Sequence, residues 1–329
     1  MNRALSLKKR LSRSKNAILS LLVVLAMLLV ALSSGTYARA TLNGVKLWAF
    51  NIVPSVFPYF VLTALLTSLG SAAKLASRCA GLSRRLFGCG GMSAYAFFIA
   101  AVSGYPGGSK ITAELYEKHL VSADDAYKMS GFCSLSSPLF IVGTAGAMLL
   151  KDRAAGFAIL GAHFLSVLLT GMLLRGKKTR ENAPPPPVPP AADNLLYEAV
   201  YGSVISLLVL GGIVTVCFVL IEMLENIGAF LLPVKFFTLL FGDETLARGF
   251  VYGLVECTTG IARAAESASP LRVPAAGFLL SFGGVSVMAQ SAAFLKRAKI
   301  KTARFFLSKC LHAVFTFIFL FALSFLIPL

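Results

Sequence analysis

Ser103-Gly104-Tyr105-Pro106-Gly107-Gly108-Ser109-Lys110, set inside the apolar stretch 92–112, decides the fold. A membrane-crossing helix should run on through such a stretch. Here Pro106 removes a backbone donor, and three glycines permit positive φ. In hydrocarbon no water satisfies a free N–H or C=O, so unwound helix survives only inside protein or beside a wet cavity. Three more interruptions follow: Phe132-Cys133-Ser134-Leu135-Ser136-Ser137-Pro138, Gly253-Leu254-Val255-Glu256-Cys257-Thr258-Thr259-Gly260 and Ser281-Phe282-Gly283-Gly284-Val285-Ser286. Interruptions paired between two halves of a chain are the usual sequence pointer to a transporter's binding site. The pattern therefore predicts a membrane transport protein.

Composition agrees. The 329 residues are 57% hydrophobic and only 14% charged, with mean hydropathy +0.79. A soluble domain cannot hide so much apolar surface, whereas a bilayer accepts it. The net charge of +17 sits in short blocks beside apolar segments: Lys8-Lys9-Arg10, Arg84-Arg85, Lys177-Lys178-Thr179-Arg180 and Lys296 to Arg304. Such blocks read as topology signals and headgroup contacts. They lack the aromatic interleaving of a nucleic-acid surface, so the expected partner is the lipid bilayer and not nucleic acid. The six cysteines form no C-x-x-C pair, which points to buried free thiols and to no metal site.

Ten apolar segments can be marked, at about 17–35, 52–70, 92–112, 129–150, 155–174, 203–224, 229–241, 247–265, 274–294 and 305–327. Each crossing needs about 20 residues. The expected fold is therefore all-α and polytopic, with about 8–10 transmembrane helices. The run Asn182 to Pro190 cannot be helix. It divides the chain into a first membrane repeat (1–174), a basic, proline-rich linker (175–196) and a second membrane repeat (197–329). Gly253 follows Gly104 by 149 positions, as His312 follows His163, and Phe282 follows Phe132 by 150. In each half the order is plain helix, proline-containing helix, two broken helices, then a plain helix with a histidine near its start. With five crossings per half the repeat is inverted, but the basic blocks do not follow the positive-inside rule cleanly. The segment at 229–241 is a candidate re-entrant piece. The first apolar segment resembles a signal peptide, with Ala38-Arg39-Ala40 as a cleavage-like site; its counterpart at 203–224 favours a retained anchor.

The candidate substrate-binding residues are those of the interruptions. Gly107, Gly108, Ser109 and Lys110 would start a helix whose free N–H groups attract carboxylate or phosphate, with Ser109 as its cap and Lys110 adding a full charge. Ser103 and Gly104 precede them. Ser134, Ser136 and Ser137 place three hydroxyls before Pro138. Ser281, Gly283, Gly284, Ser286 and Gln290 form the partner segment in the second half. Glu256, beside Thr258 and Thr259, is the acid standing well inside a strong apolar segment, where ionisable groups are expensive and functional by default. It is expected to pair with Lys110, a coupling proton or cation, or the substrate. His163 and His312 read as interior hydrogen-bonding groups, and Asp124 and Asp125 as solvated. The Walker phosphate loop is excluded because Lys110 follows Ser109 and precedes Ile111. No G-x-S-x-G, H-E-x-x-H or intramembrane aspartate pair occurs, so neither an enzyme nor a cofactor is expected. A homo-oligomer remains open.

At these same segments the chain resembles the sporulation integral membrane protein family of the YlbJ/SpoVV type, over roughly residues 40 to 325. SGYPGGSK at 103–110 and SFGGVSVMAQ at 281–290 are the most specific stretches. F-x-x-x-x-S-P-L-F-I-x-G at 132–143 and GLVECTTG at 253–260 add to them. The family pattern carries asparagines before the Ser137-Pro138 equivalent and a histidine where Met288 stands. The resemblance implies nucleoside-recognition (Gate) domains, distantly similar to concentrative nucleoside transporters. It further implies movement of dipicolinate, a small anionic dicarboxylate, from mother cell to forespore across the outer forespore membrane. A carrier of nucleosides or another metabolite, and a membrane assembly factor without transport, are the alternatives.

Overall fold

The computed structural model describes residues 2–69, 71–176 and 194–326. The linker expected at 175–196 lies mostly outside them, with its Lys177–Arg180 block and its proline run. Among the described residues the chain is all helix, with fifteen α-helices, two π-helical stretches and no strand. In chain order these are α1 (Asn2–Leu32), α2 (Ser34–Leu47), the π turn Trp48–Ile52, α3 (Val53–Ser68), α4 (Ser71–Phe87), α5 (Met92–Ser103), α6 (Gly107–Glu117) and α7 (Ala123–Phe132). There follow the π stretch Leu139–Leu150, α8 (Arg153–Leu173), α9 (Leu195–Asn226), α10 (Leu231–Phe241), α11 (Glu244–Val255) and α12 (Cys257–Ala264). The chain closes with α13 (Arg272–Phe282), α14 (Gly284–Arg297) and α15 (Ala303–Leu323).

Each of the ten apolar segments finds helix, but the interrupted ones are built of pieces. α5, α6, α11 and α12 have 12, 11, 12 and 8 residues, each too short to cross hydrocarbon alone. Among the described residues four helices are long and apolar enough to cross: α8, α9, the nearly continuous Arg272–Arg297 and α15. Two bent pairs raise the number to six, at 102° between α1 and Ser34–Ile52 and at 87° between Ala76–Phe87 and α5. α10, from the short segment at 229–241, has 11 residues and cannot span.

Local chemistry sets the helix ends. Ser122, Asp152 and Asp243 accept from the N–H groups of Asp125, Ala155 and Leu246 at 3.1, 3.0 and 2.8 Å, capping α7, α8 and α11. Each cap satisfies a donor that a helix start otherwise leaves free. At Asp243 the Ser267 hydroxyl, donating at 2.6 Å, and then the Leu246 N–H hold the carboxyl below its ordinary range.

The packing suits a lipid solvent. Leu232 and Leu239 on α10 are 78% and 88% exposed, and α1, α9 and α15 present further large apolar side chains. Serines, threonines, two histidines and two lysines lie buried instead. In water this distribution would be inside out; in a membrane polar groups must find partners within the protein. Close crossings use small residues. A Cβ at Gly146 in the π stretch would lie 2.6 Å from Gly156 Cα of α8, and one at Gly260 would overlap Gly253, which clamps α12 to α11. Trp48 lies against Gly211 of α9, and its indole N–H donates to the Leu207 carbonyl at 2.9 Å.

Asp125 departs from the solvated position expected of it. It is buried, and its carboxylate accepts from the Gly90 N–H at 3.2 Å, because α7 begins beneath the α4–α5 turn. Asp124 is exposed and pairs with Lys128 at 2.6 Å.

Candidate functional site

The interrupted segments meet in pairs and then pair with each other. α5 ends at Gly104, whose φ of +72° favours glycine. A Cβ there would lie 2.8 Å from Ser137 N, and one at Gly108 would overlap the Cys133 carbonyl oxygen. The first interruption therefore rests backbone to backbone on the second. In the later part of the chain, α13 stops and α14 starts at Gly283 and Gly284, with φ of +83° and +70°. A Cβ at Gly284 would lie 2.9 Å from the carbonyl oxygens of both Gly253 and Val255. The third interruption rests on the fourth in the same manner.

Side chains join the two pairs. The Tyr105 hydroxyl donates to the Leu280 carbonyl at 2.9 Å. His163 of α8 lies between the pairs: its Nε2 accepts from the Ser136 N–H at 3.0 Å, and its Nδ1 contacts Ser281 Oγ at 2.7 Å. A backbone N–H can only donate, so Nε2 is unprotonated and Nδ1–H donates to Ser281. Ser281 then donates to Thr316 Oγ1 at 2.8 Å, and Thr316 to the His312 carbonyl at 2.8 Å. His312 Nε2 donates to the His163 carbonyl at 2.9 Å. The interior hydrogen-bonding role expected of both histidines is what they perform.

Glu256 interrupts α11–α12 without unpairing its charge. It is buried, and its oxygens accept from Thr258 N at 3.1 Å, Thr259 N at 2.7 Å and Thr259 Oγ1 at 2.9 Å. The carboxylate is thus the N-cap of α12, set against the positive end of the helix dipole. The expected pair with Lys110 is not formed. Lys110 Nζ instead lies 4.0 Å from Glu114 Oε1 and 4.7 Å above the Phe60 ring, beside a narrow cleft that also touches Ser103 and Gly107.

Ser109 is not the cap of α6. Its hydroxyl is buried with no hydrogen-bond partner, and Pro106 occupies the capping position. Ser103 donates to the Ile99 carbonyl at 2.8 Å, Ser137 Oγ accepts from Phe140 N at 3.3 Å, and Gln290 donates to Ser286 Oγ at 3.1 Å. Ser134 Oγ has no partner. The junction is closed: Ser134, Ser136, Ser281 and His163 are all nearly or fully inaccessible. A cavity of about 520 Å³ lies elsewhere, between the end of α9, α10 and α11, lined by Glu225, Phe230, Lys235 and Arg248.

Two groups at the junction escaped sequence reasoning. The Tyr105 hydroxyl gave no local signal, since its partner lies 175 positions away. Lys309 of α15 is fully buried and reaches the Ser134 carbonyl at 3.2 Å, with the Tyr105 ring 5.2 Å away. A signal existed for it. Ser308, Lys309, His312 and Thr316 recur at helical spacing and form one polar face within an apolar segment.

Fold and junction together define a polytopic, all-α integral membrane protein with interrupted helices packed back to back. The chain is similar to the sporulation integral membrane protein YlbJ of Bacillus subtilis (strain 168), 27% identical over an alignment 309 residues long that covers 85% of this chain and 76% of that protein. The similarity bears out the resemblance to the YlbJ type read from the interrupted segments. No family model and no solved structure matches the chain.

Proposed function

We propose that this protein is a membrane carrier for a small dicarboxylate, and that in a sporulating cell it moves dipicolinate from the mother cell toward the forespore across the outer forespore membrane. One observation carries the reading: four interrupted segments, two from each part of the chain, pack in pairs at Gly104–Ser137 and Gly284–Gly253, and the pairs are joined at a buried polar junction through Tyr105–Leu280 and Ser136–His163–Ser281. Backbone unwound at membrane depth is tolerated only where it is buried in protein or lines a wet cavity, and discontinuous helices meeting between two halves of a chain are the usual frame of a transporter's site. The name of the relative supports a sporulation setting.

On this reading the parts 1–174 and 197–329 are two repeats, and the closed junction is an occluded state. Gly104, Ser134–Ser137, Glu256 and Gly283 are the joints at which pieces move to admit substrate. A dianion leaving a negative cytosol gains about 2.3 kcal/mol per charge per 100 mV. Two charges give roughly 4.6 kcal/mol, or about three decades of concentration. Membrane voltage then suffices as the driving force, with Glu256 occupied as a cap and no coupling proton required.

The test is flux into proteoliposomes holding the purified full-length chain, with an imposed inside-positive potential. Saturable, voltage-dependent dipicolinate entry supports the proposal. Entry of labelled nucleosides in its place would assign the junction to a different substrate. No flux of either, together with loss of a partner complex on deletion, would make the chain an assembly factor.

A further inference from the structure

Lys309 is the group whose position the network of hydrogen bonds does not account for. Its side chain is fully buried on α15, and its contacts are the Ser134 carbonyl at 3.2 Å and the Tyr105 ring at 5.2 Å. The ion pairs among the described residues join Lys110 to Glu114, Lys128 to Asp124, Arg248 to Glu225 and Glu244, and Arg297 to Glu117; none reaches Lys309. Glu256, the buried acid next in sequence to Cys257, has its oxygens on the start of α12. An ammonium in a low-dielectric interior without a carboxylate is strongly disfavoured, so buried charges are ordinarily paired.

A second, independent feature stands beside it. The hydroxyl of Ser134, the residue whose carbonyl Lys309 touches, is buried and has no hydrogen-bond partner. So is that of Ser109, which follows the glycine packed on the Cys133 carbonyl. A buried hydroxyl left unpaired is uncommon and calls for a missing partner.

We propose that Lys309 Nζ and Ser134 Oγ form an anion site that takes one carboxylate of a small dicarboxylate. The ammonium supplies the charge and the serine O–H a directional donor. The inference rests on the carrier reading above and deepens it, because it transfers the charge-compensating role from Lys110 to Lys309. It also explains why the cation sits where the two interrupted pairs meet: an anion there draws α15 and the α7 break together.

The experiment measures dipicolinate binding to the full-length chain in lipid nanodiscs by calorimetry and by ligand-induced thermal shift, with pyridine as the uncharged comparison. Lys309→Met should weaken dipicolinate binding roughly tenfold to a hundredfold. It should reduce the thermal shift in proportion and leave the apo protein as stable as before or more so, since a buried charge is replaced by an apolar chain of similar length. Lys309→Arg should retain part of the affinity, and Ser134→Ala should lose about threefold to tenfold. If wild type binds and moves dipicolinate while K309M binds it equally well, the anion site is refuted and the carrier stands. If wild type neither binds nor moves a dicarboxylate, both fall. Should K309M fail to fold, unchanged affinity in S134A together with K309R refutes the site.

Discussion

Replacing Glu256 separates a capping acid from a transporting one. In Glu256→Ala the N–H groups of Thr258 and Thr259 and the Thr259 hydroxyl lose the acceptors that lie 3.1, 2.7 and 2.9 Å away. The site is buried and the α11–α12 clamp at Gly253 and Gly260 leaves little room for water to replace them. A buried donor left unpaired costs about 1–3 kcal/mol, and loss of an N-cap about 0.5–2 kcal/mol. These overlap, so about 2–4 kcal/mol is the expected loss for the alanine variant. Glu256→Gln keeps one oxygen on the helix start and should lose about 1–2 kcal/mol, while retaining voltage-driven flux. Unfolding in mixed micelles by titrated denaturing detergent, read by tryptophan and circular dichroism signals, measures both. If E256A unfolds within about 0.5 kcal/mol of wild type, the capping assignment is wrong. If E256Q is stable and yet transport-dead, the carboxylate carries a proton and voltage is not the whole driving force.

Other outcomes follow from the same geometry. Gly108→Ala places a methyl on the Cys133 carbonyl oxygen and 2.7 Å from Ala100 Cβ, and should lose about 3 kcal/mol or more. Gly81→Ala in α4, which meets nothing within 4 Å, should gain up to about 1 kcal/mol in the same unfolding assay. His163→Ala leaves the Ser136 N–H without its acceptor and takes from the Ser281 hydroxyl one of its two partners, and should lose about 1–3 kcal/mol, with faster hydrogen exchange at residue 136. Asp243 is held below its ordinary value of 3.8, first by Ser267 and then by the Leu246 N–H. Its stabilisation is therefore full above pH 3.8 and is lost as pH falls from there toward its lower folded value. Asp243→Asn should flatten that acid limb, which unfolding between pH 5 and pH 3 (roughly one unit to either side) would detect.

The interruptions were legible because their cause is local. Proline, paired glycines and clustered serines stop a helix wherever it lies, so 104–106, 133–138, 256 and 283 could be marked from sequence alone. Partner choice was not legible, since it depends on which helices pack together. Glu256 and Lys110 looked complementary, but each found a nearer partner, one in its own helix start and the other a turn along α6. Asp125 read as solvated because its neighbours are polar, yet α7 carries it under Gly90. Lys309 drew no reading within the apolar segment at 305–327, because composition does not distinguish a charge at the interface from one turned inward. The span number is blurred by the same interruptions that mark the site, since 8- to 12-residue pieces pass no length criterion singly.

Aqueous access to Ser134 tests the central idea most directly. With Ser134→Cys as the sole cysteine in full-length protein reconstituted in vesicles, reaction with a membrane-impermeant thiol reagent reports whether the junction opens to water. Measurable labelling, slowed by dipicolinate at concentrations that saturate flux, is the expected result. A thiol that stays unreactive under every potential and substrate concentration would mean that the interrupted helices are static packing and that no path runs between them.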